Sequence, residues 1–115
     1  MFQRVAIVGL GLIGGSLGLA LRQAQAAQQV VGYDLGRGVG EQARRLGAID
    51  QAQNTLSDTV RGAELIVLAT PVGAMRALLQ DLARMAAPEA VITDVASTKS
   101  QVISWAEELL PSNVY

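Results

Sequence analysis

The chain is 115 residues long with a formal net charge of −1, 50% hydrophobic residues and 17% charged ones, which fits one domain built on a sheet buried on both faces. Near-neutral charge, with one Trp, two Tyr and one Phe, excludes a nucleic-acid surface of basic patches and stacking platforms. No cysteine excludes disulfides and thiolate chemistry; no histidine removes the commonest general acid–base and any metal site built on His or Cys.

A first strand is expected over about Arg4–Val8, and it runs straight into Gly9-Leu10-Gly11-Leu12-Ile13-Gly14. That is the phosphate-binding turn of a dinucleotide fold, because strand, glycines and helix stand in the required order. Gly9 permits the tight turn, Gly11 has no Cβ to block a pyrophosphate, and Gly14 lets the next helix pack closely. The free N–H groups of that helix start, around Leu12 and Ile13, face the anion. Residues 5–21 are nearly uncharged and superficially resemble a leader or membrane span, but five glycines and a length below the ~20 apolar residues of a span argue against both. A cytoplasmic location is the resulting expectation.

The first helix is expected over about Leu12–Ala26 and strand two over Gln29–Asp34. Asp34, twenty positions after Gly14, stands where a carboxylate accepts hydrogen bonds from the adenosine ribose hydroxyls. A 2′-phosphate would meet a like charge there, which favours NAD over NADP, although Arg37 three residues on keeps NADP open. Gly38-Val39-Gly40-Glu41-Gln42-Ala43 formally repeats the glycine pattern, but it does not abut a strand and reads as a loop entering a helix.

That second helix covers about Gly40–Gly47, with Gly47 as its stop, followed by a short edge strand at Ala48–Asp50 and a helical turn at Leu56–Arg61. Glu64–Ala69 reads as a buried strand. Thr70 then caps a helix reaching about Met85, with Pro71 at its first position and Met75, Leu78, Leu79 and Leu82 at helical spacing. Strand five is Ala90–Asp94, and a last helix runs from about Thr98 to Leu110. Strands alternating with helices imply right-handed crossovers and an α/β fold: a doubly wound parallel sheet in three α/β/α layers, a Rossmann-type domain over residues 1–115.

Ligands of such sheets sit outside the carboxyl ends of the strands. Thr70 and Pro71 follow one such end and are candidates for the cofactor's phosphates and nicotinamide ribose, with helix capping an equal reading for Thr70. The segment Asp94-Val95-Ala96-Ser97-Thr98-Lys99-Ser100 follows another and holds the chain's one lysine. Ser97 and Lys99 are candidates for the substrate side; the alternative is that Ser97 caps the last helix and Lys99 is a solvated first-turn residue, which the helix dipole disfavours for a cation.

Taken together, VAIVGLGLIGGSLGLAL, VVGYD, ELIVLATPV and VITDVASTKSQVI resemble the N-terminal domain of the prephenate and arogenate dehydrogenases of tyrosine biosynthesis. The resemblance spans nearly the whole chain and implies an enzyme that oxidises prephenate or arogenate with NAD or NADP, transferring a hydride and losing carbon dioxide. It implies that Ser97 lies near the reacting ring hydroxyl and works with a histidine of a His-Pro segment. It further implies a helical second domain with dimer contacts and a carboxylate-binding arginine. None of these 115 residues is a histidine. The expectation is therefore the cofactor-binding part of a longer dehydrogenase, binding NAD without turning over prephenate alone, and self-associating or forming a homodimer. No metal, nucleic-acid or membrane partner is expected. The alternatives are another N-terminal Rossmann reductase, such as a pyrroline-5-carboxylate reductase or a 3-hydroxyacid dehydrogenase, and a non-catalytic nucleotide-binding module.

Overall fold

Val5, Ala6, Ile7 and Val8 are at most 2% exposed, so this run is covered on both of its faces and must sit in the middle of the sheet. The computed structural model, which describes residues 2–95 and 106–111, places it there. The strands β1 (Phe2–Val8), β2 (Ala27–Tyr33), β3 (Gln51–Ala52), β4 (Leu65–Leu68) and β5 (Val91–Asp94) are all parallel in the order β3-β2-β1-β4-β5. The chain winds outward one way from β1 and then returns to wind the other way, so β1 and β4 flank the switch point.

Side-chain alternation along β1 sorts the core into two layers. Ala6 and Val8 join Ile66, Leu68 and the Met75, Leu79 and Leu82 stripe of α4 (Val72–Met85), beside α3 (Leu56–Val60). Val5 and Ile7 join Val30, Ala43 and Ile49 under Leu17 and Leu21 of α1 (Leu12–Gln23), beside α2 (Val39–Arg45). Helices cover both faces, which is the three-layer doubly wound sheet. Register then aligns the strand ends: Val8 pairs with Tyr33 and with Leu68, and Leu68 with Asp94. Gly9, Asp34, Ala69 and Val95 consequently stand in one row, one residue beyond the sheet.

Several boundaries differ from expectation, each for a local reason. Helix α1 stops at Gln23 rather than Ala26, because Gln25 adopts a left-handed φ of 53° and closes a Schellman turn. Gln25 N–H donates to Arg22 O and Ala26 N–H to Leu21 O, so β2 starts earlier, at Ala27. The α2 end uses the same device with the expected residue: Gly47, at φ 83°, donates to Arg44 O and Ala48 N–H to Ala43 O. The edge strand lies at Gln51–Ala52, not Ala48–Asp50. Ala48 and Ile49 are buried plugs, while Asp50 uses both its N–H, to Val30 O, and its carboxylate, from Val30 N–H, to lead the chain onto β2. Most of the expected last helix lies outside the described residues; within them 106–109 are helical, and Ala106, Leu109 and Leu110 pack on the α4 layer.

Candidate functional site

The turn after β1 is shaped by what its glycines lack. Gly9 has φ 100°, and a Cβ there would fall 2.7 Å from Ala69 O. At Gly14 a Cβ would fall 1.9 Å from Gly9 O, so the helix start folds directly over the turn's own carbonyl. Gly11 is different, with nothing within 4 Å of its Cβ position. The chain's own packing therefore does not require a glycine at this position. Gly11 is also the N-cap of α1, with no side chain capping the helix and no acid in its first turn. The first helical bond runs from Gly15 N–H to Gly11 O, which leaves the N–H groups of Leu12, Ile13 and Gly14 without an intrahelical partner. The Leu12 and Ile13 side chains are exposed, so their contribution to the site is their backbone.

Asp34 faces this turn from the end of β2. One of its oxygens accepts from Leu10 N–H at 2.7 Å and the other from Gly36 N–H at 2.7 Å. A carboxylate has about four lone-pair positions, so two amides leave acceptor capacity free. A cleft of about 540 Å³ runs from this corner, with Gly9, Gly11 and Asp34 on one side and Ala74, Ala77, Leu78 and Asp81 of α4 on the other. Leu35 and Leu56 add apolar surface to it.

Thr70 and Pro71 also line the cleft, as expected, but the capping expectation for Thr70 is corrected. The N-cap of α4 is Pro71, with φ −56° and ψ 146°, and helical residues begin at Val72. The Thr70 hydroxyl makes no cap bond; its Oγ1 is buried with no hydrogen-bond partner. A buried hydroxyl without a partner costs about 1–3 kcal/mol, which marks it as a group awaiting one. Ser97 and Lys99 lie outside the described residues.

Charge elsewhere is paired at the surface. Arg44 and Arg45 hold the Glu41 carboxyl below the usual carboxylate range, the Arg44 hydrogen bond leading, and Arg76 does the same to Glu108. Neither pair lines the cleft. Arg37 is exposed and, alone among the described arginines, makes no hydrogen bond or ion pair. Among the described residues no cluster of His, Cys, Asp or Glu is placed to hold a metal, and no helix is long and apolar enough to cross a membrane.

Two contributors carry no signal in the sequence. Leu10 and Gly36 act through backbone amides, which no motif records. The cleft stripe of α4 was legible: Ala74, Ala77, Leu78 and Asp81 recur at helical spacing, just as the core stripe of the same helix does.

The fold and the sequence have counterparts among known proteins. The chain is 35% identical over 113 residues to the prephenate dehydrogenase of Bacillus subtilis, covering 97% of this chain and 30% of that protein. Its backbone superposes with a TM-score of 0.88 and 27% identity on A. aeolicus prephenate dehydrogenase in complex with hydroxyphenyl propionate and NAD+, covering 99% of this chain and 40% of that one. For Synechocystis arogenate dehydrogenase the TM-score is 0.85 at 33% identity, covering 93% and 37%. The chain thus spans well under half the length of these relatives. Residues 17–115 match the nucleotide-binding domain of prephenate dehydrogenase, and the chain belongs to that family.

Proposed function

We propose that these residues form the cofactor-binding domain of an NAD-dependent prephenate or arogenate dehydrogenase, which oxidises and decarboxylates its substrate. One juxtaposition carries the reading: an uncapped helix start with open space at Gly11 meets the Asp34 carboxylate on a single cleft. The relative solved with NAD+ supports it. A bound nicotinamide would supply the hydride acceptor.

The chain's own residues do the holding. The N–H groups of Leu12, Ile13 and Gly14 suit the pyrophosphate, and the helix dipole adds to their attraction. The free lone pairs of Asp34 suit the adenosine ribose diol and repel a 2′-phosphate, which favours NAD over NADP. Leu35, Leu56 and Leu78 offer the apolar surface an adenine needs, and Thr70 with Pro71 serves the nicotinamide ribose. Ser97 and Lys99 are proposed for the substrate side, Ser97 supporting a catalytic histidine that these residues do not contain. Location in the cytoplasm and assembly as a homodimer complete the proposal; exposed Leu19 and Leu46, away from the cleft, give association an apolar surface.

Titration calorimetry of the chain with NAD and with NADP tests the cofactor assignment. Measurable NAD binding with NADP at least several-fold weaker is expected. Tighter NADP binding would reassign Arg37 as a phosphate ligand and overturn the preference.

A further inference from the structure

We infer that Asp34 is a positioning residue for the phosphate-binding turn, acting before any cofactor arrives and apart from its contact with a ribose. The inference deepens the cofactor reading above and rests on it only for its effect on binding.

The backbone after β1 runs out of sheet partners at Leu10. Gly9 N–H is taken by Tyr33 O, which is the last sheet bond on that side. Leu10 N–H has no strand carbonyl left to pair with, and the Asp34 carboxylate takes it instead at 2.7 Å. Leu10 sits between Gly9, in a left-handed conformation, and Gly11, whose surroundings are open. Glycines on both sides give this short stretch more freedom than any other residue pair would, so an unheld turn would sample many conformations. A hydrogen bond to an ionised acceptor is about twice as strong as a neutral one, which makes it a suitable clasp. Leu10 is 6% exposed, and its methyl carbons lie within 3 Å of where a Gly32 side chain would begin. Its side chain is therefore anchored from below while its amide is anchored from the side.

The clasp is itself held. Gly36 N–H donates to the second Asp34 oxygen at 2.7 Å, fixing the carboxylate plane across the gap between the two strand ends. A Cβ on Gly36 would fall 3.0 Å from that oxygen and 2.7 Å from Val39 Cγ2, so glycine there keeps the carboxylate in place. Holding Leu10 fixes the direction in which the following N–H groups point, and preorganisation of that kind appears as ligand affinity.

Two measurements on the 115-residue chain separate this role from ribose binding. In ligand-free ¹H–¹⁵N spectra, Asp34→Asn and Asp34→Ala should move the Leu10 amide proton upfield and speed its exchange. The probe for binding is 2′,3′-dideoxy-ADP, which keeps the diphosphate and lacks the diol. Asp34→Ala should weaken it roughly 10–100-fold, the effect of losing a hydrogen bond to a charged group. Gly36→Ala, which keeps the charge, should weaken it in the same direction and guards against an Asp34 variant that does not fold. Unchanged dideoxy-ADP affinity in Asp34→Ala, with wild-type binding intact, overturns the proposal. Should wild type bind neither NAD nor dideoxy-ADP, the cofactor reading falls, and the clasp then stands or falls on the Leu10 amide alone.

Discussion

Gly18 of α1 lies so close to Ala48 that a Cβ on it would fall 2.2 Å from the Ala48 carbonyl oxygen. The contact sets the distance between the helix that starts the cofactor site and the layer beneath it. Replacing Gly18 by alanine gains up to about 1 kcal/mol of helix propensity. Against that stands overpacking, typically about 1–3 kcal/mol, and the obstacle here is backbone that no rotamer change relieves. Overpacking should win. Gly18→Ala is expected to lower the urea unfolding midpoint of the chain, and a raised midpoint would refute the packing argument.

Gly9 and Gly11 should separate folding from binding. Gly9 needs its positive φ and has no room, so Gly9→Ala should lose stability whether or not a ligand is present. Gly11 has φ −70° and open space, so Gly11→Ala should change the free energy of unfolding by no more than about 0.5 kcal/mol. Its methyl would instead stand where the pyrophosphate is proposed to approach. An NAD affinity lowered at least tenfold by calorimetry is the expected outcome.

Thr70→Val should divide stability and affinity in opposite directions. The substitution removes a buried hydroxyl that has no partner and keeps the side-chain shape. Stability is expected to stay level or rise by about 1 kcal/mol, while NAD binding weakens because the hydroxyl's proposed partner is the cofactor. A fall in stability with NAD affinity unchanged would make Thr70 a purely structural residue.

Acid should loosen the attachment of residues 106–111 to α4. Arg76 donates to Glu108 through its two terminal guanidinium nitrogens, at 3.2 and 3.3 Å, and holds the carboxyl's folded-state value below its unfolded one. A depressed carboxylate contributes stability that is present above the unfolded value and lost as pH falls through the folded one. The pair is exposed, so the effect is small and screened by salt. Amide exchange at 106–110 should accelerate as pH drops through the acidic carboxylate range, after correction for intrinsic rates, and Glu108→Gln should abolish that dependence.

How far the sequence speaks for itself differs between backbone and side chains. Alternating apolar runs announced the parallel sheet, because a strand buried on both faces must be apolar throughout, as Val5–Val8 is. Gly47 marked its helix end because glycine is the usual left-handed residue; Gln25 fills the same position at α1, and nothing in its identity says so. Asp50 misled the strand assignment because a side-chain carboxylate stands in for a backbone acceptor. In the site, Asp34 was visible through its spacing from the glycines, but its partners Leu10 and Gly36 contribute amides that every residue carries. The α4 stripe was present in the pattern, hidden behind the stronger apolar stripe of the core.

Titrating the ¹⁵N-labelled chain with NAD tests the central assignment most directly. Shifts should concentrate at Gly9–Gly14, Asp34–Gly36, Thr70 and the Ala74–Asp81 face of α4, on the cleft of about 540 Å³. Shifts confined to the separate groove between α1 and α2, at Leu19, Gln42 and Leu46, or no shifts at saturating NAD, would contradict it.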